Sequence, residues 1–274
     1  TVQRYETSLK HTRDFVWETY HKKDVLLDEV SRQFIEDYEF WLKTEKKCCH
    51  NTATKYLKNF KKIIRIALAK GWMKNDPFLE IRFSLDKVEP DFLEDSEIQK
   101  LISKEIDIPR LSQVRDIFVF CCFTGLAFSD IHGLRKEHIV EDSNGVRWIR
   151  KGRQKTKIMC NIPLIEIPLK ILEKYSTNEY CKKHGVLFPV LCNQKMNAYL
   201  KELADICGIK KTLTTHVGRH TFAAFALANG VSIESVAKML GHTNVQMTRH
   251  YARVLDRTVI REMSQIKMDL HFSM

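Results

Sequence analysis

The chain has 274 residues, 44% hydrophobic and 29% charged, which suits one large globular domain or two ordinary ones. No apolar run is long enough to span a bilayer as a helix. A formal charge of +11 and a pI near 9.2 favour a polyanionic partner, nucleic acid before an anionic membrane surface.

The positive excess is not a detachable tail, because 18 basic residues face 14 acidic ones up to Pro90 and 27 face 20 beyond it. Residues 1–88 read as helical throughout. From Asn51 to Lys70 the residues Ala53, Tyr56, Leu57, Phe60, Ile63, Ile64, Ala67 and Leu68 fall on one helical face, with Asn51 or Thr52 as N-cap and Gly71 as stop. Another face of that helix carries Lys55, Lys58, Lys62 and Arg65 with no acid between them. Solvated faces usually mix signs, so this one is expected to contact phosphates. The stretch NDPFLEIRFSLDKVEPD (75–91) loses the helical period at two prolines and marks a boundary between domains at 1–88 and 91–274.

The second domain opens with a helix capped at Asp95 or Ser96. A further helix, about Leu111 to Thr124, ends at Gly125 within T-G-L-A. Residues 145–164 then predict two short strands around a turn at Gly152, with Arg147, Arg150, Lys151, Arg153, Lys155 and Lys157 putting six cations in eleven residues and no acid. Such a hairpin repels itself unless something anionic lies against it. From Pro168 onward the pattern is helical. The eight cysteines form no C-x-x-C pair and read as reduced, mostly buried thiols of a cytosolic protein.

The densest signal is THVGRHTFAAFALANGVSIESVAKMLGHTNVQMTRHYARV. His216, Arg219 and His220 share one end of a helix at i, i+3 and i+4. A second helix, Ile233 to Leu240, ends at Gly241 with His242 just past it, and Tyr251 follows nine residues later. Zinc ligation by His216 and His220 lacks the H-E-x-x-H glutamate and any cysteine pair. A DNA-reading helix-turn-helix is a serious competitor.

H-x-x-R-H, then L-G-H, then a tyrosine nine residues on resembles the tyrosine recombinases, the phage-integrase-like strand-transfer enzymes. The ordered set, with the D-P-F linker, the T-G-L turn and the basic hairpin, covers nearly the whole chain. It looks closest to integrases of Bacteroides-type conjugative transposons, which often lack the arginine after T-G-L; here that position is Ala127. The resemblance implies a mainly α fold with a small β-hairpin or sheet, a helical core-binding (SAM-like) DNA-binding domain and a mixed α/β catalytic domain.

It also implies that Tyr251 attacks a phosphodiester to give a 3′-phosphotyrosyl bond, with His216 steering its proton, Arg219 forking onto the phosphate and His242 donating to it. A hairpin lysine protonates the leaving 5′-oxygen: Lys155 first, Lys151 as runner-up. No metal, cofactor or ATP is expected. Arg153 is the candidate to replace the missing arginine, and Arg115, beside Asp116, the weaker one. Arg150, Lys151 and Lys157 are expected on DNA. Further expectations are double-stranded DNA at attachment sites, a homo-tetramer coupled through the tail (Val259, Ile260, Met263, Ile266, Met268), a host architectural DNA-bending protein as an accessory partner and a cytoplasmic, nucleoid location. The Thr1 start suggests a fragment that has lost an arm-binding domain. Two alternatives stay open: a catalytically silent DNA-binding regulator on this fold, and a type IB topoisomerase-like relaxing enzyme.

Overall fold

The computed structural model describes residues 2–252, and the tail residues named above lie outside them. The chain forms two compact units, residues 1–88 and 89–274. In the first, helices α1 (Val2–Tyr20), α2 (Arg32–Thr44) and α3 (His50–Ala69) enclose an aromatic core of Phe15, Phe34, Tyr38, Trp41 and Phe78. Phe15 and Phe34 meet edge-on at 5.1 Å, the arrangement favoured by the ring quadrupoles. Ser31 starts α2 by accepting from the Phe34 amide at 3.3 Å.

Three expectations need correction here. Residues 70–88 are not helical: Gly71 turns left-handed at φ 72° after α3, and the chain then runs through turns into an extended segment. Asn51 is not a cap. It lies inside α3, where its side chain accepts from the Asp86 amide at 2.8 Å and donates to the Asp86 carbonyl at 3.0 Å, clamping that segment. Ile63 faces solvent, and Thr54 and Asn59 take places on the buried face. Lys55, Lys58, Lys62 and Arg65 are all exposed.

The second unit opens with α4 (Asp95–Ser103), whose cap is Glu94, one residue before the expected position, with Glu97 accepting from its amide at 2.8 Å. Helix α5 (Pro109–Thr124) is buried around almost its whole circumference, a central rod rather than an amphipathic surface helix. After Gly125 come the short α6 (Phe128–His132) and a three-stranded antiparallel sheet, β1 (Ile139–Glu141), β2 (Arg147–Gly152) and β3 (Met159–Pro163), in that spatial order. The expected hairpin is β2–β3, and β1 is an additional strand, pairing Ile139 with Ile149, which in turn pairs with Ile162. Helices α7 (Glu166–Tyr175), α8 (Glu179–His184), α9 (Asn193–Ile206), α10 (Thr215–Ala228), α11 (Ile233–Leu240) and α12 (Gln246–Ala252) follow among the described residues. α10 packs along α5, close enough at Gly218 that a Cβ there would stand 3.2 Å from the Phe118 ring. That contact sets the depth of the helix carrying Arg219.

Cys121, Cys122, Cys160 and Cys181 are buried free thiols, Cys48 and Cys207 are partly covered, and Cys49 and Cys192 are exposed. Among the described residues no helix is long and apolar enough to cross a membrane.

Candidate active site

Arg219 is the centre of the site. It projects from α10 with 3% exposure, donating from Nη1 to the Gly125 carbonyl at 2.7 Å and from Nη2 to the Leu240 carbonyl at 2.6 Å. The T-G-L turn and the end of α11 therefore aim one guanidinium. Both acceptors are neutral, so the fork is fixed while its charge is left for an anion. Burial, reinforced by the neighbouring Arg153 charge, draws its pKa down to about 10, so it remains cationic at neutral pH.

Arg153 arrives from the hairpin. Its Nε lies 3.5 Å from Asp130 Oδ2 and its Nη1 3.4 Å from the Gly241 carbonyl. Asp130, 2% exposed on α6, also accepts from the Gln154 amide at 2.9 Å, so one carboxylate fixes both the backbone and the side chain of the hairpin where it leaves β2. Gly241 closes the other side. It adopts φ 60°, the left-handed end of α11, and an added Cβ would lie 2.6 Å from Arg153 Cδ and 2.7 Å from Cys160 Sγ. Glycine here serves both the turn and the passage of the arginine. Sequence reasoning missed Asp130. The signal available was an acid three residues past Ala127, in a chain whose basic hairpin needed a counter-charge.

Three histidines line the same region. His242, just past α11, has Nδ1 2.8 Å from Thr248 Oγ1, and burial, with Arg219 and Arg153, pushes its pKa down to about 4. His216 opens to solvent at the start of α10. Lost hydration, then the charges of Arg219, Arg153 and Lys155, hold it below the usual imidazole value. His220 lies edge-on to His216 at 4.3 Å between centroids, and burial pushes its pKa to about 4. All three are neutral at pH 7 unless an anion enters. Among the described residues no group of three His, Cys, Asp or Glu side chains is placed to hold a metal ion.

Tyr251, on α12, is 8% exposed and packs with Phe222, Ala223, Val236 and Leu240. Burial raises its pKa and Arg219 partly offsets that, so the phenol is protonated at neutral pH. Lys155 is exposed, within electrostatic reach of His216. Lys151 turns inward instead, its Nζ donating to the Gly133 carbonyl at 2.7 Å and lying 3.3 Å from His138 Nε2. Arg150 and Lys157 are exposed, and Arg147 sits 3.6 Å from Glu141. Arg115 belongs elsewhere, bonded to Asp116 at 3.0 Å and to the Lys104 carbonyl at 2.7 Å. The hairpin is thus less uncompensated than its sequence suggests: Asp130 and Glu141 meet two of its six cations.

Residues 91–258 match the phage integrase family, and residues 1–88 match the phage integrase SAM-like domain. The chain belongs to the phage integrase family. Its members are tyrosine recombinases, site-specific enzymes that cleave and rejoin DNA, and so is this chain. This family member is 29% identical over 265 residues to a tyrosine recombinase of Pseudothermotoga lettingae, covering 94% of this chain and 88% of the relative. It is 26% identical to the tyrosine recombinase XerD of Oceanobacillus iheyensis, over 93% of this chain and 87% of the relative. Its fold is similar to that of a lambda integrase fragment solved as a dimer on a COC′ core site, with a TM-score of 0.72 at 18% identity, covering 90% of this chain and 86% of that one.

Proposed function

We propose that this recombinase moves a mobile element by strand transfer through a covalent 3′-phosphotyrosyl intermediate. The Tyr251 oxygen attacks the phosphorus and forms the P–O bond, while the bond to the 5′-oxygen breaks. His216 takes or steers the phenol proton, and Lys155 delivers a proton to the departing 5′-oxygen. Arg219 and Arg153 grip the nonbridging oxygens, with His242 as a further donor, and stabilise the charge that builds at pentavalent phosphorus. The phosphotyrosyl link keeps the bond energy for rejoining, so no ATP is consumed.

The observation that carries this reading is the approach of Arg153 to Arg219, held between Asp130 and the Gly241 carbonyl. It supports Arg153 as the source of a second arginine charge, which Ala127 cannot supply. Lys155 is preferred to Lys151 as the acid because the Lys151 ammonium is already committed to Gly133 and His138. The exposed Lys55, Lys58, Lys62 and Arg65 of α3, with Arg150 and Lys157 of the hairpin, are the phosphate-contacting surfaces, and affinity falls steeply with salt. The dimer of lambda integrase on its core site supports assembly on DNA, with a tail-coupled tetramer as the working form and a host DNA-bending protein as accessory.

The likeness to XerD favours one second reading, a recombinase acting between sites on a replicon rather than moving an element. The deciding test is trapping on nicked suicide duplexes. A covalent adduct lost in Tyr251→Phe supports strand transfer, and DNA binding without any adduct would mean a silent regulator. Joining of two sites, rather than plasmid relaxation, separates a recombinase from a topoisomerase-like enzyme.

A further inference from the structure

His220 is adjacent to Arg219 but has no part in the steps above. Its ring touches three things. Nδ1 lies 3.2 Å from the Asp91 carbonyl, the ring meets His216 edge-on at 4.3 Å, and it lies 5.4 Å from the Tyr251 ring at an interplanar angle of 54°. The next residue repeats the first contact: the Thr221 hydroxyl accepts from the Leu93 amide at 2.9 Å in a buried position, while donating to the Val217 carbonyl at 2.9 Å. Two successive side chains of α10 therefore hold residues 91–93, where the chain enters the catalytic unit. One of those side chains also walls the tyrosine.

We infer that His220 is a positioning residue for the nucleophile: tied through Nδ1 to the Asp91 carbonyl, its ring sets the pose of Tyr251 and links that pose to the entering segment. A carbonyl can only accept, so the tie requires a proton on Nδ1 and leaves Nε2 as the acceptor of a neutral ring. A neutral imidazole packs against a phenol without adding a further cation to Arg219 and Arg153. The ring bridges the Asp91 carbonyl and the Tyr251 ring, so movement of the entering segment can reach the tyrosine through this side chain. The inference rests on the reading of Tyr251 as nucleophile for its catalytic consequence, and on geometry alone for the pose.

Both parts are testable in the full chain with 3-fluorotyrosine at position 251 and two substitutions. His220→Phe keeps a ring and loses the tie; His220→Asn keeps a donor close to the Nδ1 position and loses the ring. Each variant is expected to shift or broaden the ¹⁹F resonance in the absence of DNA. With a pool of nicked duplexes of randomised core sequence at saturation, each is expected to slow covalent adduct formation on the order of 100-fold, the cost of a small misplacement of a reacting group. Affinity for an intact duplex of arbitrary sequence stays within about twofold, because a neutral His220 adds no charge to sequence-independent binding. An unchanged ¹⁹F signal in both variants overturns the inference, as does full cleavage by either one. An adduct that survives in Tyr251→Phe overturns the nucleophile reading instead and leaves the ¹⁹F result standing.

Discussion

Two basic regions of the molecule carry charge in opposite ways. On α3, Lys55, Lys58, Lys62 and Arg65 stand exposed on a face with no acidic neighbour in sequence. On the hairpin, Arg153 is half-sequestered by Asp130 and Gly241, Lys151 is spent on Gly133 and His138, and Arg147 faces Glu141. Long, solvated side chains suit the backbone of a duplex, where each contact adds a little and no geometry is demanded. A reacting phosphate demands the reverse: donors fixed before the charge develops, so that no reorganisation is needed at the moment of reaction. On the proposed reading the same residue types serve affinity in one place and chemistry in the other, and what separates them is whether the fold supplies an anchor.

Breaking an anchor should therefore cost far more than removing a surface cation. Asp130→Ala frees both the Arg153 side chain and the Gln154 amide. It is expected to lower the single-turnover cleavage rate on the order of 100- to 1000-fold, the range found when one preorganised donor is lost, with duplex affinity little changed. Gly241→Ala pushes a methyl against Arg153 and Cys160 and forces a left-handed alanine. A loss of about tenfold or more in cleavage is expected, together with about 1 kcal/mol of stability in urea unfolding; a variant as active and as stable as the parent would remove the tight passage from the account.

The α3 surface should answer to salt. Replacing Lys55, Lys58, Lys62 and Arg65 together by alanine should weaken duplex binding and flatten the slope of log K against log salt by about 3 to 4. Cleavage at saturating DNA should be unaltered. The last effect concerns pH and leaves cleavage at neutral pH aside. His220 and His242, with pKa pushed to about 4 in the fold, bind protons more readily when unfolded. Their contribution to stability is complete above about pH 6.5 and fades as the pH falls toward 4, by on the order of 1–2 kcal/mol each after allowance for their partial exposure. His242→Asn should make urea midpoints less sensitive to pH in that window.

How much of this was legible in the sequence depended on distance along the chain. The ends of α5 and α11 at Gly125 and Gly241 followed from local stop signals, and the cluster of His216, Arg219 and His220 from helical spacing. β1 was invisible because three residues, Ile139 to Glu141, form no pattern until β2 lies beside them. The loss of helical period at the two prolines of 75–91 was legible, but the clamp that holds Asp86 was not, because Asn51 stands 35 positions away in sequence. Asp130 was hidden for the same reason. Its partner stands 23 residues on, and an ion pair across that gap exists only once the sheet has folded back onto α6. The excess of cations in the hairpin announced that a counter-charge was required but not which acid would supply it.

The central claim is that the arginine absent at Ala127 has its counterpart at Arg153. Adduct trapping on a nicked suicide duplex tests it directly, comparing the parent chain, Arg153→Ala, and Arg153→Ala combined with Ala127→Arg. The account predicts that Arg153→Ala retains DNA binding but loses cleavage by about 100-fold or more, and that the added arginine at position 127 restores part of it. Cleavage by Arg153→Ala at the parental rate would contradict the account outright.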